Sequence, residues 1–310
     1  MTGPDLRDPQ APLVLRALDL QQLEAARALL ARACAHDAAA PVAREKLFGP
    51  DAAHAGARAL GAWRGAALIG VAAVSGACIR LLAVDPVHRG RGVGSALLAA
   101  AEQAVKATGA RASRLLDQPG NYLAPGVDLR NRETITWLER RGYVGHDERT
   151  NLLIDLAARD RDPRAIAAHV LAAVSPTYEL RRACAADAAA LAVMIAAGFS
   201  DAWAFEVGQA LGGEPPAVHV AVARASGAYV AFAAHDGNNR GLGWFGPTGT
   251  VPEHRGRGLG AALLWACLAD LAAAGHETCE VAWIGPRDFY QRAAGVAGER
   301  RFIAMRKELS

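Results

Sequence analysis

The sequence predicts a mixed α/β protein of the α+β kind, in which one domain of strands and helices is used twice in tandem. Three observations carry this. At 310 residues the chain exceeds the length, roughly 250 to 300 residues, at which a single core stops growing. Pro86 to Leu98 reads PVHRGRGVGSALL and Pro252 to Leu264 reads PEHRGRGLGAALL, a repeat at an offset of 166 residues with three differences. Around both copies, apolar periodicity and turn residues give the same order of elements.

The first copy opens with a strand at Val14 to Leu18 and a helix from Asp19, its N-cap, to Ala35. A short helix follows before Gly56. Strands through Ala57 to Trp63, Leu68 to Val74 and Cys78 to Val84 are joined at Arg64-Gly65 and Ser75-Gly76, which makes an antiparallel meander. After the glycine-rich turn an alanine- and leucine-rich helix runs to Thr108 and is closed by Gly109. A strand, a helix at Glu133 to Arg141 and a last strand at Asn151 to Leu156 complete the copy.

The second copy repeats this with a strand at Tyr178 to Arg182, a helix from Asp187, and strands at Val218 to Ala223, Tyr229 to Ala234 and Leu242 to Val251. Its helix ends at Ala274 with Gly275 as cap, before a strand at Thr278 to Ile284, a helix at Arg287 to Ala294 and a strand at Arg301 to Lys307. The polar stretch from Ala158 to Arg164 separates the copies. Residues 1–157 and 178–310 are therefore the expected domains, with 158–177 as a linker that holds a helix from Pro163 to Val174.

With 52% hydrophobic and 21% charged residues, the chain has the material for real cores. A formal charge of +3 without any long basic run argues against nucleic acid, though a local basic pocket for a phosphorylated ligand remains open. The apolar stretch Ala66 to Val84 is broken by Ser75, Gly76 and Arg80, so it reads as adjoining buried strands, not as a membrane span. The start MTGPDLRDPQ lacks the apolar core of a signal peptide, and the expected compartment is the cytoplasm. Cys34, Cys78, Cys184, Cys267 and Cys279 are scattered and never spaced as CxxC, which predicts buried free thiols and no metal site.

The chemistry lies in two turns, Arg89-Gly90-Arg91-Gly92-Val93-Gly94 and Arg255-Gly256-Arg257-Gly258-Leu259-Gly260. Each follows an apolar strand and opens a helix, so unpaired backbone N–H groups converge where the positive end of the helix dipole lies. A diphosphate belongs there, and glycine lets it approach the backbone. A dinucleotide fold requires GxGxxG within a βαβ unit, whereas these turns give GxGxG, with Ser95 or Ala261 at the last position, after a meander. No Gly-Lys-Ser/Thr follows, so a P-loop is also excluded.

These turns resemble the signature [Q/R]xxGx[G/A] of the GCN5-related N-acetyltransferase (GNAT) superfamily, through Arg89, Gly92 and Gly94 in the first copy and Arg255, Gly258 and Gly260 in the second. The resemblance covers nearly the whole chain as two GNAT domains. It implies that acetyl-CoA lies where the fourth and fifth strands splay, with its pyrophosphate on the glycine turn. Backbone groups at Val84, or at Thr250 and Val251, would then receive the pantetheine. The superfamily's second motif, approximately NxxAxxFYxxxGF, is split between the copies. The first has Asn131, Thr134, Trp137, Leu138, Gly142 and Tyr143, keeping the asparagine that touches CoA and losing the tyrosine. The second has Phe289-Tyr290 but Trp283 in place of the asparagine.

Direct attack of an amine on a thioester forms a tetrahedral oxyanion and releases a thiolate that needs a proton. A phenol with a pKa of about 10 supplies it and a leucine does not, which makes Tyr290 the expected acid and the second copy the expected enzyme. The amine must also lose a proton, at a cost of roughly 4 to 5 kcal/mol for a lysine-like group at pH 7. Glu206 and Asp201, in the segment GFSDAWAFEVGQAL, and Asp236 with His235 are the candidate bases. The expected activity is N-acetylation of a small-molecule primary amine by a monomer or homodimer, with acetyl-CoA as cosubstrate. Gly120-Asn121-Tyr122 and Phe289-Tyr290-Gln291-Arg292 look similar to tandem glucosamine or glucosaminide N-acetyltransferases, which points to an amino sugar. A protein similar to mycothiol synthase and a non-catalytic acyl-CoA-binding module are the alternatives.

Overall fold

The computed structural model describes residues 11–158 and 161–309. The start MTGPDLRDPQ, two residues of the polar inter-copy stretch and residue 310 lie outside them. By backbone contacts the chain forms two units, residues 1–149 with 301–310, and residues 150–300.

The first unit contains β1 (Leu13–Ala17), α1 (Leu23–Ala33), α2 (Ala43–Phe48), β2 (Arg58–Arg64), β3 (Ala67–Ser75), β4 (Cys78–Val84), α3 (Val93–Lys106), β5 (Ala112–Leu115), β6 (Val127–Asp128), α4 (Arg132–Glu139) and the start of β7 (Val144–Asp155). Asp19 does act as a cap: its side chain accepts from Gln21 N–H at 2.8 Å, on a short 3-10 turn that leads into α1. Gly109, at φ +83°, ends the turn after α3 as expected of a left-handed C-terminal glycine. α3 packs its Leu97, Leu98, Ala101 and Val105 against Ile79 and neighbouring sheet residues, which makes one core.

The second unit contains α5 (Pro163–Val174), β8 (Tyr178–Arg182), α6 (Ala188–Gly198), α7 (Asp201–Leu211), β9 (Val218–Ala223), β10 (Tyr229–His235), β11 (Trp244–Thr250), α8 (Leu259–Ala273), β12 (Thr278–Val281), α9 (Arg287–Ala293) and the start of β13 (Gly298–Glu308). α8 buries Leu263, Leu264 and Leu268 against Phe245 and Ala231 on one face of the sheet. On the other face Leu191 and Ile195 of α6 and Val207 of α7 cover Phe232 and Val220.

The expected strands and helices are present, but two strands join sheets other than those expected. β7 pairs antiparallel with β12, Ile154 opposite Cys279, so residues 150–155 extend the second sheet. β13 pairs antiparallel with β5, Arg306 opposite Arg114, and so extends the first. A period of two residues fixes which face a side chain takes and says nothing of which edge the strand will join. For the same reason the contiguous split at 157 and 178 differs from the observed units, and α5 is an integral helix packed on α8 through Ile166, Val170 and Val174. β12 also stops short of Ile284, because Trp283 turns out of the strand at φ +45°.

Among the described residues no helix is long and apolar enough to cross a membrane, and no cluster of side chains could hold a metal. All five cysteines are free, yet only Cys78, Cys267 and Cys279 are buried; Cys34 is half-buried and Cys184 exposed, at the end of β8.

Candidate active site

Both glycine turns form as the sequence requires. Gly90 and Gly92 take φ +70° and +79°, and Gly256 and Gly258 take +74° and +82°, a region that side chains with a Cβ rarely occupy. Space above these glycines is open: an added Cβ would meet nothing within 4 Å at Gly90, Gly92 or Gly256, and only Val174 Cγ1 at 3.4 Å from Gly258. Val93 and Leu259, buried in the cores, anchor the first helical residue behind each turn. The third glycines have another purpose, since Gly94 lies against Trp137 and Gly260 against Phe289, at 3.4 and 3.3 Å from the ideal Cβ.

The motif arginines brace the turns. Arg89 Nε donates to Val84 O at 3.2 Å and its Nη2 to Ala33 O at 2.8 Å, while Arg255 Nε donates to Thr250 O at 3.1 Å. Arg91 is exposed, and Arg257 reaches only Glu253 O at 3.3 Å. The cradle is therefore made of backbone N–H groups at a helix start, and an anionic diphosphate fits it.

Each turn follows a strand that separates from its parallel neighbour. β4 pairs with β5 only at Cys78 with Arg114 and Ile79 with Leu115; β11 pairs with β12 only at Trp244 with Glu280 and Phe245 with Val281. Beyond Ile79 and Phe245 the strands fork. Asp85 N–H donates to Ile69 O and Val251 N–H to Val230 O, so these amides face the neighbouring antiparallel strand. By alternation, Val84 and Thr250 turn their backbone edges to the open side, where Val251 does not.

The first residue past the fork differs completely. In the first unit it is Arg80, fully buried, which donates to Asp51 Oδ2 at 2.7 Å and to Gly49 O at 2.8 Å. Burial alone would raise Asp51, but Ser75 Oγ, Ala53 N–H and His54 Nδ1 bonded to it and the Arg80 charge hold its carboxyl below the usual range. Lys46, also fully buried, donates to Asn121 Oδ1 at 2.8 Å, and Asn121 Nδ2 donates to Pro50 O at 2.7 Å. Arg149 donates to Asp117 at 3.0 Å. These bonds fasten α2, residues 49–51 and the loop after β5 across that side of the first fork. In the second unit the equivalent residue is Gly246, and a Cβ built on it would meet nothing within 4 Å.

Tyr290 lies at the second fork. Its ring packs edge-on against Phe245, the last paired residue, with centroids 6.3 Å apart, and against Phe289 at 5.0 Å. It is 6% exposed, and burial, with a smaller effect of Cys279, pushes its hydroxyl up to about 12. Among the described residues no hydrogen-bond partner holds that hydroxyl. The equivalent Leu138 is sealed in the first core. Asn131 begins α4 without capping it, and its N–H donates to Asp128 O at 2.9 Å. Trp283, in the other copy's asparagine position, donates its N–H to Asn151 Oδ1 at 2.8 Å.

Two sequence families described as acetyltransferase (GNAT) domains match the chain, one over residues 52–144 and the other over residues 180–296. The chain is a tandem GNAT acyltransferase. Solved structures similar to it in fold include the glucosamine N-acetyltransferase region of a fungal multi-domain β-N-acetylglucosaminidase, at a TM-score of 0.74 and 19% identity. That match covers 98% of this chain and 39% of the fungal one, so the chain spans about two fifths of that relative. A GCN5-related N-acetyltransferase from Sphaerobacter thermophilus gives 0.67 at 19% identity over 96% and 97% of the two chains. A tandem GNAT protein from the clavulanic acid biosynthesis pathway gives 0.66 at 19% over 96% and 98%. No curated protein matches the chain. Acetyl-CoA is the usual donor of the GNAT family.

The carboxylates of this GNAT protein separate by environment. Glu206 is buried on α7, whereas Asp201 is exposed in that helix's first turn, where it complements the helix dipole. His235 and Asp236 belong to a different cluster. His219 Nε2 and His235 Nε2 lie 2.6 and 3.3 Å from Asp270 Oδ2 on α8, and Arg182 donates to Asp270 Oδ1 at 2.6 Å. Sequence reasoning missed this cluster, because its members are spread over three strands and a helix. It also gave no partner to Arg80, although an arginine interrupting an otherwise apolar strand was the signal.

Proposed function

We propose that the second unit transfers the acetyl group of acetyl-CoA directly to a primary amine of a small molecule, and that the first unit is catalytically silent whether or not it holds the same donor. The observation that carries this reading is the contrast at the forks, Gly246 with open space in one and the Arg80–Asp51 ion pair in the other. Acetyl-CoA supplies the activated acyl group. Backbone N–H groups at Gly256 to Gly260 would hold its diphosphate, and the open edge of β11 at Thr250 its pantetheine. Tyr290, protonated throughout the neutral range, is the donor of the proton that the departing thiolate takes. Glu206, buried on α7, is favoured over the exposed Asp201 as the group that takes the amine's proton.

An amino sugar leads as acceptor, because the fungal relative's matching region is a glucosamine N-acetyltransferase. We place the protein in the cytoplasm, where its five free cysteines stay reduced, as a monomer or homodimer. Thiol release across amino sugars, polyamines, amino acids and peptide N-termini tests the activity. Turnover with at least one amine is expected; stoichiometric CoA binding without turnover on any of them would instead make the protein a CoA-binding module.

A further inference from the structure

The acceptor side of the second fork carries chemistry that the first lacks. Past the fork, Gly249 of β11 lies directly under the ring of Phe199, with which any Cβ would collide. Phe199 stacks on Trp203 with centroids 5.5 Å apart and the planes at 18°. Both rings meet Phe232 edge-on, at 5.2 and 6.3 Å. Phe232 is sealed in the core and Trp203 is 37% exposed, so the three rings form a wall that runs from the open strand to solvent. Ser200 sets the foot of that wall by accepting from Trp203 N–H at 3.2 Å as the cap of α7. Glu206, one turn further along α7, shares the helix face of Trp203.

α6 and α7 contain no Lys or Arg, their ionisable groups are Asp201 and Glu206, and Arg240 Nη2 donates to Gln209 O at 2.6 Å near the C-terminal end of α7. The corresponding region of the first unit has buried Arg80 and Lys46, paired with Asp51 and Glu45, and across α1, α2 and the segment between them the only Phe, Tyr or Trp is Phe48. The negative faces of the rings in the second unit attract a protonated amine, while the buried cations of the first are already held by Asp51 and Glu45.

We infer that the acceptor is a monoamine carried on a ring, an organic ammonium whose apolar face, either an arene or the C–H face of an aminopyranose, lies against Trp203. This rests on the second unit being the transferase. Aromatic faces attract both the cation and the adjacent C–H groups of a ring, whereas a linear polyamine or an amino acid brings no such C–H face to them.

The test is thiol release by the full chain at saturating acetyl-CoA, with glucosamine, phenethylamine, putrescine and glycine as acceptors, for the native protein, Trp203→Ala and Trp203→Phe. At least one ring amine should exceed both ring-free amines in kcat/KM by about tenfold or more, and which ring amine wins separates the pyranose from the arene. Trp203→Ala should raise the KM of that amine about tenfold, within the range of a cation–π contact, with kcat nearly unchanged and Trp203→Phe recovering most of the loss. A ring-free amine used equally well, or an unchanged KM in Trp203→Ala, overturns the inference. If no amine is turned over, the proposed transfer has failed and binding decides: saturable quenching of tryptophan fluorescence by a ring amine, lost in Trp203→Phe, upholds the aromatic site, and its absence overturns it.

Discussion

The two forks share a strand register, a glycine turn and a helix start, and differ in the residue that follows the last strand pair. Arg80 sets a buried ion pair at one, tied through Asp51 to Ser75 and His54. Gly246 leaves the other open. On the proposed reading, a motif for holding the donor and a path for the acceptor are separate properties of one fold, and a duplicated motif need not bring duplicated chemistry. A buried ion pair is also a firm closure, because moving either partner strands a charge away from water.

That comparison can be sharpened from the closed side first. Arg80→Ala leaves Asp51 buried without its cation and should destabilise the first unit by about 3 to 5 kcal/mol. Urea unfolding should show this as an early transition, while turnover per folded chain stays within about twofold of native.

A smaller effect, on the open side, comes from Gly258→Val. It forces a branched side chain to φ +82°, beside Val174, and projects it over the anion cradle. Affinity for acetyl-CoA at the second turn should fall roughly a hundredfold, which corresponds to about 2.7 kcal/mol, and calorimetry should show the first turn unaffected.

The His219–Asp270–His235 cluster gives a pH dependence that belongs to the second unit alone, since the equivalent of Asp270 on α3 is the buried Ala104. Burial alone would raise Asp270, but bonds from His219, His235 and Arg182 outweigh it and hold the carboxyl well below its ordinary 3.8. Its stabilising contribution is complete above that value and is lost as pH falls through the depressed one. His235 runs the other way: burial would lower it, yet Asp236 and Asp270 raise it above 6.5, so its contribution is complete below 6.5 and lost as pH rises through the raised value. The unfolding midpoint of the second unit should therefore be highest between 3.8 and 6.5, and Asp270→Asn should flatten both limbs. The smallest effect is expected of Asp201→Asn, within about 0.5 kcal/mol in stability and about twofold in turnover, as befits an exposed charge.

Much of the fold was legible because its signals are local. The repeated RGRGxG placed both turns, Gly109 and Gly275 ended helices where expected, and the meander followed from Arg64-Gly65 and Ser75-Gly76. The destinations of β7 and β13 were not legible, since Asn151 to Leu156 and Arg301 to Lys307 carry the same alternation whichever sheet they join. At the proposed site, Tyr290 was legible as a match to part of the second motif. Phe199 and Trp203 could not, because their stacking over Gly249 depends on how α7 lies on the sheet. Arg80 was visible as an anomaly in an apolar strand, but its partner Asp51 lies 29 residues earlier, in a loop that no periodicity reaches.

The most direct test of the division of labour is the turnover number of two variants measured side by side by thiol release, Tyr290→Phe and the double variant Gly92→Val with Gly94→Val. Proton donation is worth about a hundredfold to ten-thousandfold, and water can replace part of it, so Tyr290→Phe should lower kcat at least about tenfold with acetyl-CoA affinity unchanged. The double variant, confirmed folded, should keep kcat within about twofold of native, since the proposal gives the transfer to the second unit. Activity abolished in the double variant and normal in Tyr290→Phe would contradict the account and make the first unit the enzyme.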